Sequence, residues 1–366
     1  MSKLSKEAKI VLFLSIVLTV FGVYMVYSAS NVWAMYKYND EYFFFKRQII
    51  FAVLGILIMI GLINVPLDLL ISKSHILLLV SFIFLILVLI PGIGVVRNGS
   101  QSWIGVGQFV FQPSEIFKIT AILFVAKSLE IYFNKTKYFF KSIVPILIPS
   151  LLGFLLIMLQ PDLGTGIVLL ASIIIMTIIS KAKFSNYLRL GILGIGAFTI
   201  LILTKPYRIQ RITAFIDPFE DPLGSGFQII QSLYAIGPGG LLGLGVGGSI
   251  QKHFYLPEPQ TDFIFSIVCE EFGFIGAISL ILLFGYLIYY GLRIALLSKK
   301  LSYCFLSVGI ISLVGVQVII NLGVVVGLLP VTGITLPFIS YGGTSLIIVL
   351  TSIGLLINAG KKENLV

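Results

Sequence analysis

The chain has 366 residues, of which 58% are hydrophobic and only 11% charged, with a net charge of +10 and a mean hydropathy of +1.08. A soluble domain carries about 25% charged residues, so this composition excludes a soluble enzyme and describes a chain buried mostly in lipid. The basic excess does not mark a nucleic-acid reader, because most of it falls where cytoplasmic loops of a membrane protein belong.

Ten apolar segments recur in chain order, at roughly 9–29, 47–65, 75–91, 113–132, 143–160, 163–180, 187–204, 262–292, 302–324 and 340–359. Each is close to the length an α-helix needs to cross a bilayer, so the predicted fold is an all-α integral membrane protein of about ten spans in one polytopic unit. The first segment is too long for the core of a signal peptide and is expected to be retained. An even number of spans puts both termini on one side. Lys3, Lys6, Lys9, Lys73, Lys141, Lys181, Arg293, Lys299, Lys300, Lys361 and Lys362 all fall on that side, which the positive-inside rule makes the cytoplasm. Cys269 and Cys304 both lie in predicted spans and form no disulfide framework.

The opposite face carries the unusual sequence. Between the third and fourth spans lies VVRNGSQSWIGVGQFVFQPSEIFK (95–118), with Arg97, Trp103, Glu115 and Lys118. The fifth and sixth spans meet at QPDLGTG (160–166), which holds Asp162. A large extracellular loop, 205–261, follows the seventh span. It offers a basic stretch with Arg208 and Arg211, an apolar-periodic stretch FQIIQSLYAIG and the glycine-rich GPGGLLGLGVGG. One or two amphipathic surface helices and a glycine-rich re-entrant turn are expected there. The last external loop, 326–345, is rich in Pro and Gly and includes Ser340. No inverted repeat relates the two halves, which weighs against a typical secondary transporter.

The loop 205–261 ends in FYLPEPQTDFIF, which sets Glu258 and Asp262 before an apolar helix that also carries Glu270 and Glu271. Acidic groups at membrane depth are costly, so they normally have a task. Asp262 has two readings, as a helix cap favoured by the dipole or as a general base. Glu270 lies about 12 Å deeper along a helix rising 1.5 Å per residue, too deep to share a substrate with Asp262. Glu270 and Glu271 are therefore read as structural contacts to a neighbouring helix. The other candidates also carry bland readings: Trp103 as an interfacial anchor, Lys118 as an i,i+3 partner of Glu115, and Asp162 as turn chemistry. No helical zinc motif, Walker loop or Rossmann fingerprint is present, and GLGVGG (243–248) follows no parallel strand.

Taken together, RNGSQSWIGVG with QPSEIFK, QPDLGTG, YRIQRI, DPLGSGFQIIQSLYAIGPGG, FYLPEPQTDFIF with EEFGFIG, and PVTGITLPFISYGGTS closely resemble the SEDS family (shape, elongation, division and sporulation). The resemblance covers nearly the whole chain in order and is nearest the FtsW/SpoVE branch. It implies a peptidoglycan glycosyltransferase that polymerises lipid II on the outer face of the cytoplasmic membrane beside a class B penicillin-binding protein. The family's essential aspartate matches Asp262, and its Trp, Lys and Asp positions near the cavity match Trp103, Lys118 and Asp162. Arg97, Lys118 and Arg211 are candidates for a diphosphate clamp, and Glu115, Glu258 and Ser340 for further substrate contacts. A magnesium or manganese ion could supplement the clamp, although no dedicated cage is visible. Two other functions stay open at this point: a lipid II flippase, and a non-catalytic scaffold for the transpeptidase.

Overall fold

A computed structural model describes residues 3–97, 99–106, 109–135, 139–180 and 206–365, with scattered positions between 185 and 199. The side chain of Arg97 and much of the expected seventh span, 187–204, fall outside the described residues.

The nine other expected spans are helices. They are α1 (Lys6–Tyr38), α2 (Phe43–Asn64), a short α3 (Leu67–Ser72) leading into α4 (Ser74–Leu87), α5 (Pro113–Tyr132), α6 (Phe139–Leu159) and α7 (Leu163–Ile178). After α8 (Pro206–Ile216) and α9 (Phe227–Ile236) come α10 (Ile264–Leu297), α11 (Leu301–Val325) and α12 (Gly343–Ala359). Among the described residues, α1, α2, α6, α10 and α11 are each long and apolar enough to cross a membrane unaided. Helices α4, α7 and α12 are apolar but shorter. The outer surfaces of the helices expose Phe13, Leu54, Leu57, Leu79, Ile83, Leu282 and Ile319. Such a surface would be a fault in water and is what lipid requires.

Helix α11 is the central post: α5, α7, α10 and α12 all pack on it. Helix α12 packs on α2, and α1 on α10. Both termini and the α10–α11 loop meet at one end. There Leu4 bridges Lys361 and Ser298 bridges Leu365 in antiparallel fashion, and Lys362 N donates to the Lys3 carbonyl at 2.9 Å. The basic termini therefore share a face, as the charge pattern requires.

Two features depart from the expected pattern. The stretch after α4, expected only as a loop, folds as a three-stranded antiparallel sheet of β1 (Gly94–Arg97), β2 (Ser100–Val106) and β3 (Phe109–Phe111). The α4 helix accordingly stops at Leu87, short of the expected end near 91. An Asn-Gly pair at 98–99, flanked by β-branched and aromatic residues, is the hairpin signal that marks this sheet. The second departure is inside α10. Gly273 adopts φ 63, ψ −163, which breaks the helix into two halves. The amide groups this opens are filled by the glycine-rich loop. Leu244 N and Gly245 N donate to the carbonyls of Glu270 and Glu271 at 2.9 and 3.1 Å. Phe274 N and Ile275 N donate in return to Gly240 and Leu241 at 2.9 and 3.1 Å. Non-helical backbone inside a membrane protein survives only where its polar groups are met in this way. A Cβ on Gly243 would lie 2.1 Å from the Glu271 carbonyl oxygen, so only glycine permits the approach. The expected re-entrant turn is thus a backbone splice into a broken helix.

Candidate active site

Helix α10 begins at Ile264, with Phe263 at its N-cap and no side chain capping it. Asp262 lies before that cap and makes no capping bond, so of its two sequence readings the cap is not the one the structure adopts. Its carboxylate is half-buried. Among the described residues, the side chain that donates to it is Thr261, whose Oγ1 lies 2.9 Å from Oδ1. Burial pushes the Asp262 carboxyl above the ordinary carboxylate value, and Glu258 adds in the same direction. The Thr261 hydrogen bond and the Arg211 charge pull it partly back. A carboxylate with a raised affinity for protons and few donors is suited to accept one.

The surrounding loops are tied to this residue at several points. Tyr341 N donates to the Gln260 carbonyl at 2.8 Å. Asn321, on α11, donates through Nδ2 to the carbonyls of Asp262 at 2.6 Å and Ile334 at 2.8 Å. Arg211, an exposed residue of α8, donates from Nη1 to the Val331 carbonyl at 3.1 Å. It also lines a cavity of about 500 Å³ together with Gly99, Pro161, Gln210, Gln228 and Val331. The cavity thus joins the tip of the β1–β2 hairpin, the start of α7, the surface helices and the last external loop. Glu258 is exposed, with a left-handed backbone at φ 44. Its carbonyl accepts from Thr261 N at 3.0 Å and from Thr261 Oγ1 at 2.7 Å, which closes the turn that presents Asp262.

The second polar group is built on α5 and α7. Lys118 and Glu115 are both buried and pair at 2.7 Å across one helical turn. Asp162 is the N-cap of α7: its Oδ1 accepts from Thr165 N at 3.1 Å. Its Oδ2 accepts from Gln112 Nε2 at 2.7 Å. Burial raises the Asp162 carboxyl above its ordinary value; the Thr165 bonds oppose this, Glu115 adds to it and Lys118 relieves it. Here the bland readings of pairing and capping are what the chain uses, and they knit the start of α5 to the start of α7. Trp103 is partly buried on β2, opposite Val95. That sheet is held to the α6–α7 turn by Ser100 Oγ, which donates to the Gln160 carbonyl, as does Ser102 Oγ at 3.3 Å. Ser340 is buried, with Oγ accepting from Leu336 N at 2.8 Å and its carbonyl accepting from Gln48 Nε2 at 3.1 Å. Its hydroxyl therefore fixes a turn of the last loop.

Glu270 and Glu271 serve structure, as expected, though their partners are loops as well as a helix. Glu270 accepts from Ser249 Oγ at 2.5 Å and from Ile250 N at 2.8 Å. Glu271 accepts from Ser28 of α1 at 2.6 Å and pairs with buried Lys252 at 3.3 Å. Lys252 in turn donates to the Gly247 carbonyl at 2.7 Å. Among the described residues no three His, Cys, Asp or Glu side chains gather as a metal cage. Asn321, whose amide ties Asp262 to the last external loop, is not legible in the sequence, since a lone amide in an apolar helix carries no pattern.

The chain matches the profile of the FtsW/RodA/SpoVE cell cycle protein family over residues 8–365. It is similar to stage V sporulation protein E of Bacillus subtilis (strain 168), 52% identical over 359 residues and 98% of each chain. It is also similar to a probable peptidoglycan glycosyltransferase FtsW of Geobacter sp. (strain M18), 42% identical over 353 residues and 96% of each chain. Among solved structures it resembles a chain described for the structural coordination of polymerization and crosslinking by a peptidoglycan synthase complex. That likeness has a TM-score of 0.74 at 30% identity, covering 95% of each chain. The rod shape determining protein RodA of Thermus thermophilus is a second neighbour, with a TM-score of 0.68 at 27% identity over 95% of this chain and 94% of that one. A multi-pass helical membrane fold, the polar loops on the face away from the termini, and relatives matched end to end give one conclusion: the chain belongs to the FtsW/RodA/SpoVE family of cell cycle proteins.

Proposed function

We propose that the protein is a peptidoglycan glycosyltransferase that polymerises lipid II at the outer face of the cytoplasmic membrane, with Asp262 as its general base. The observation that carries the reading is Asp262 itself: outside its helix, uncapped and half-buried, with the Arg211 charge acting on it. The full-length likeness to a probable peptidoglycan glycosyltransferase supports the substrate class.

In this reaction the 4-hydroxyl of the acceptor GlcNAc attacks the anomeric carbon of the donor MurNAc. A carbon–oxygen bond forms there while the bond to undecaprenyl diphosphate breaks and carries the electron pair away. The hydroxyl proton passes to the Asp262 carboxylate in concert with bond formation, since a sugar hydroxyl is far too weak an acid to ionise beforehand. One displacement inverts the centre and gives a β-1,4 strand. A hydrolase acting on a glycosidic ether needs a second carboxyl to protonate its leaving group. A diphosphate leaves as a stable anion, so a single base and cationic compensation suffice. Arg211 is placed to supply that compensation. Lys118 is already neutralised by Glu115, so its part is structural, within α5. A magnesium or manganese ion brought by the substrate diphosphate would add to that compensation. A class B penicillin-binding protein is the proposed partner that cross-links the product.

The test is polymerisation of lipid II by purified protein in detergent, wild type beside Asp262→Asn, with and without a cognate class B transpeptidase. Glycan product from the wild type alone supports the assignment. Equal product from both proteins removes Asp262 as the base, and absence of product from the wild type under both conditions removes the polymerase reading.

A further inference from the structure

We propose that Asn321 is the positioning residue of this site, holding the Asp262 peptide and the facing loop in one register so that the carboxylate meets the acceptor hydroxyl. The inference rests on the reading of Asp262 as the base. Asn321 belongs to α11, the helix on which α5, α7, α10 and α12 all pack, and it is 1% exposed. An amide in such surroundings is costly unless it is hydrogen-bonded. Its Nδ2 spends both hydrogens on carbonyls from separate loops, those of Asp262 and Ile334. The two N–H bonds of an amide lie in one plane at a fixed angle. Two acceptors on one Nδ2 therefore fix the distance and orientation between those loops.

What is fixed is the part of the chain that aims the base. The Asp262 carbonyl belongs to the peptide that follows its Cα, so holding that oxygen restricts rotation about the Cα–C bond and with it the direction of Cβ. On the other side of Asp262, the Gln260 carbonyl is held by Tyr341 N, so the base is bracketed. Thr261 cannot do this work alone, because its one hydroxyl hydrogen is shared between the Glu258 carbonyl and Asp262 Oδ1 within the same turn. The second carbonyl, on Ile334, belongs to the loop whose Val331 carbonyl receives Arg211. Asn321 thus sets the base against the loop on which the Arg211 side chain of α8 is anchored. The start of α7 is drawn into the same frame, since a Cβ on Gly164 would meet the Thr332 carbonyl and the Ile334 side chain at 2.8 Å. Among the described residues, Asn321 Oδ1 is buried without a hydrogen-bond partner. The two donors are therefore the part of the amide that the fold uses.

Asn321→Leu keeps the approximate shape and removes both donors, while Asn321→Asp turns an acceptor toward two carbonyls. The experiment measures steady-state lipid II polymerisation and thermal melting of the full chain for the wild type, Asn321→Leu, Asn321→Asp and Asp262→Asn. Both Asn321 variants are expected to lose kcat on the order of 10²-fold, the effect of displacing a reacting group by about 1 Å, with KM nearly unchanged. In Asn321→Leu, where the charged groups acting on Asp262 are still Glu258 and Arg211, the acid limb of kcat moves to lower pH as water reaches the loosened carboxylate; in Asn321→Asp the added carboxylate opposes that move. Asn321→Asp regains kcat relative to Asn321→Leu as pH falls, because a protonated carboxyl can donate one of the lost bonds. Wild-type kcat and pH profile in both variants, with Asp262→Asn inactive, would overturn the positioning role alone. A loss of kcat that follows the melting temperature while the acid limb stays in place, or failure of both variants to fold, would make Asn321 a stability residue and also overturn it. An active Asp262→Asn would remove the base, and this inference with it.

Discussion

Asp262 and the pair Glu270–Glu271 stand in one stretch of chain, and the fold treats their carboxylates in opposite ways. Glu270 accepts from a hydroxyl and a backbone amide, and Glu271 from Ser28 and a buried lysine. Their charges are met, and they hold the spliced loop against the broken helix. Asp262 accepts from the hydroxyl of its own neighbour, is pushed toward the protonated form by burial, and sits where the helix gives it no capping bond. The difference separates two uses of an acid near a membrane. A satisfied carboxylate stabilises the fold, whereas an under-satisfied one is kept at a cost in stability for chemistry.

The largest effect expected from this contrast is on turnover. Asp262→Asn should lower polymerisation by about 10² to 10⁴-fold, the range for loss of a general base, measured as glycan product per unit time. Next comes the structural pair. Glu271→Leu leaves the Lys252 ammonium buried and unpaired, which costs about 3–5 kcal/mol and should show as a large fall in melting temperature in detergent. A Glu271→Leu protein that melts like the wild type would erase the contrast from the structural side.

The pH dependence is smaller and sharpens the same point. A folded pKa above the unfolded value means the folded state binds the proton more tightly. The contribution of Asp262 to stability is thus complete below the unfolded value, near about 3.9. It is lost as pH rises through the raised folded value. Turnover has the reverse sense, since the base must be ionised: activity should fall as pH drops through that raised value. An acid limb at or below the ordinary carboxylate range would contradict a buried base. Smallest of all is Trp103→Leu, which should lower turnover with little change in melting temperature if the indole faces substrate. A matching fall in both would return it to the packing of the hairpin.

The sequence makes the helices legible because lipid demands long apolar runs, and the basic residues near Lys3, Lys299 and Lys361 mark the face shared by the termini. It hides the hairpin after α4, whose strands are three to seven residues long and read as loop beside stronger helical signals. The break at Gly273 is hidden too, because EEFGFIG continues an apolar helix by composition and glycine is common in membrane helices. Nor does the spacing of Thr261 and Asp262 decide between cap and base. That decision needed the backbone, which places the N-cap at Phe263. Asn321 was invisible for a similar reason: its meaning lies in two carbonyls 59 and 13 residues away in sequence.

If the fold bears a stability cost at Asp262 in exchange for reactivity, thermal melting and lipid II polymerisation of Asp262→Asn against wild type at neutral pH will show both halves of the exchange. The expected result is a melting temperature equal to or above that of the wild type together with loss of glycan product. A variant that melts lower yet still polymerises would make Asp262 a structural carboxylate like Glu271 and end its assignment as the base.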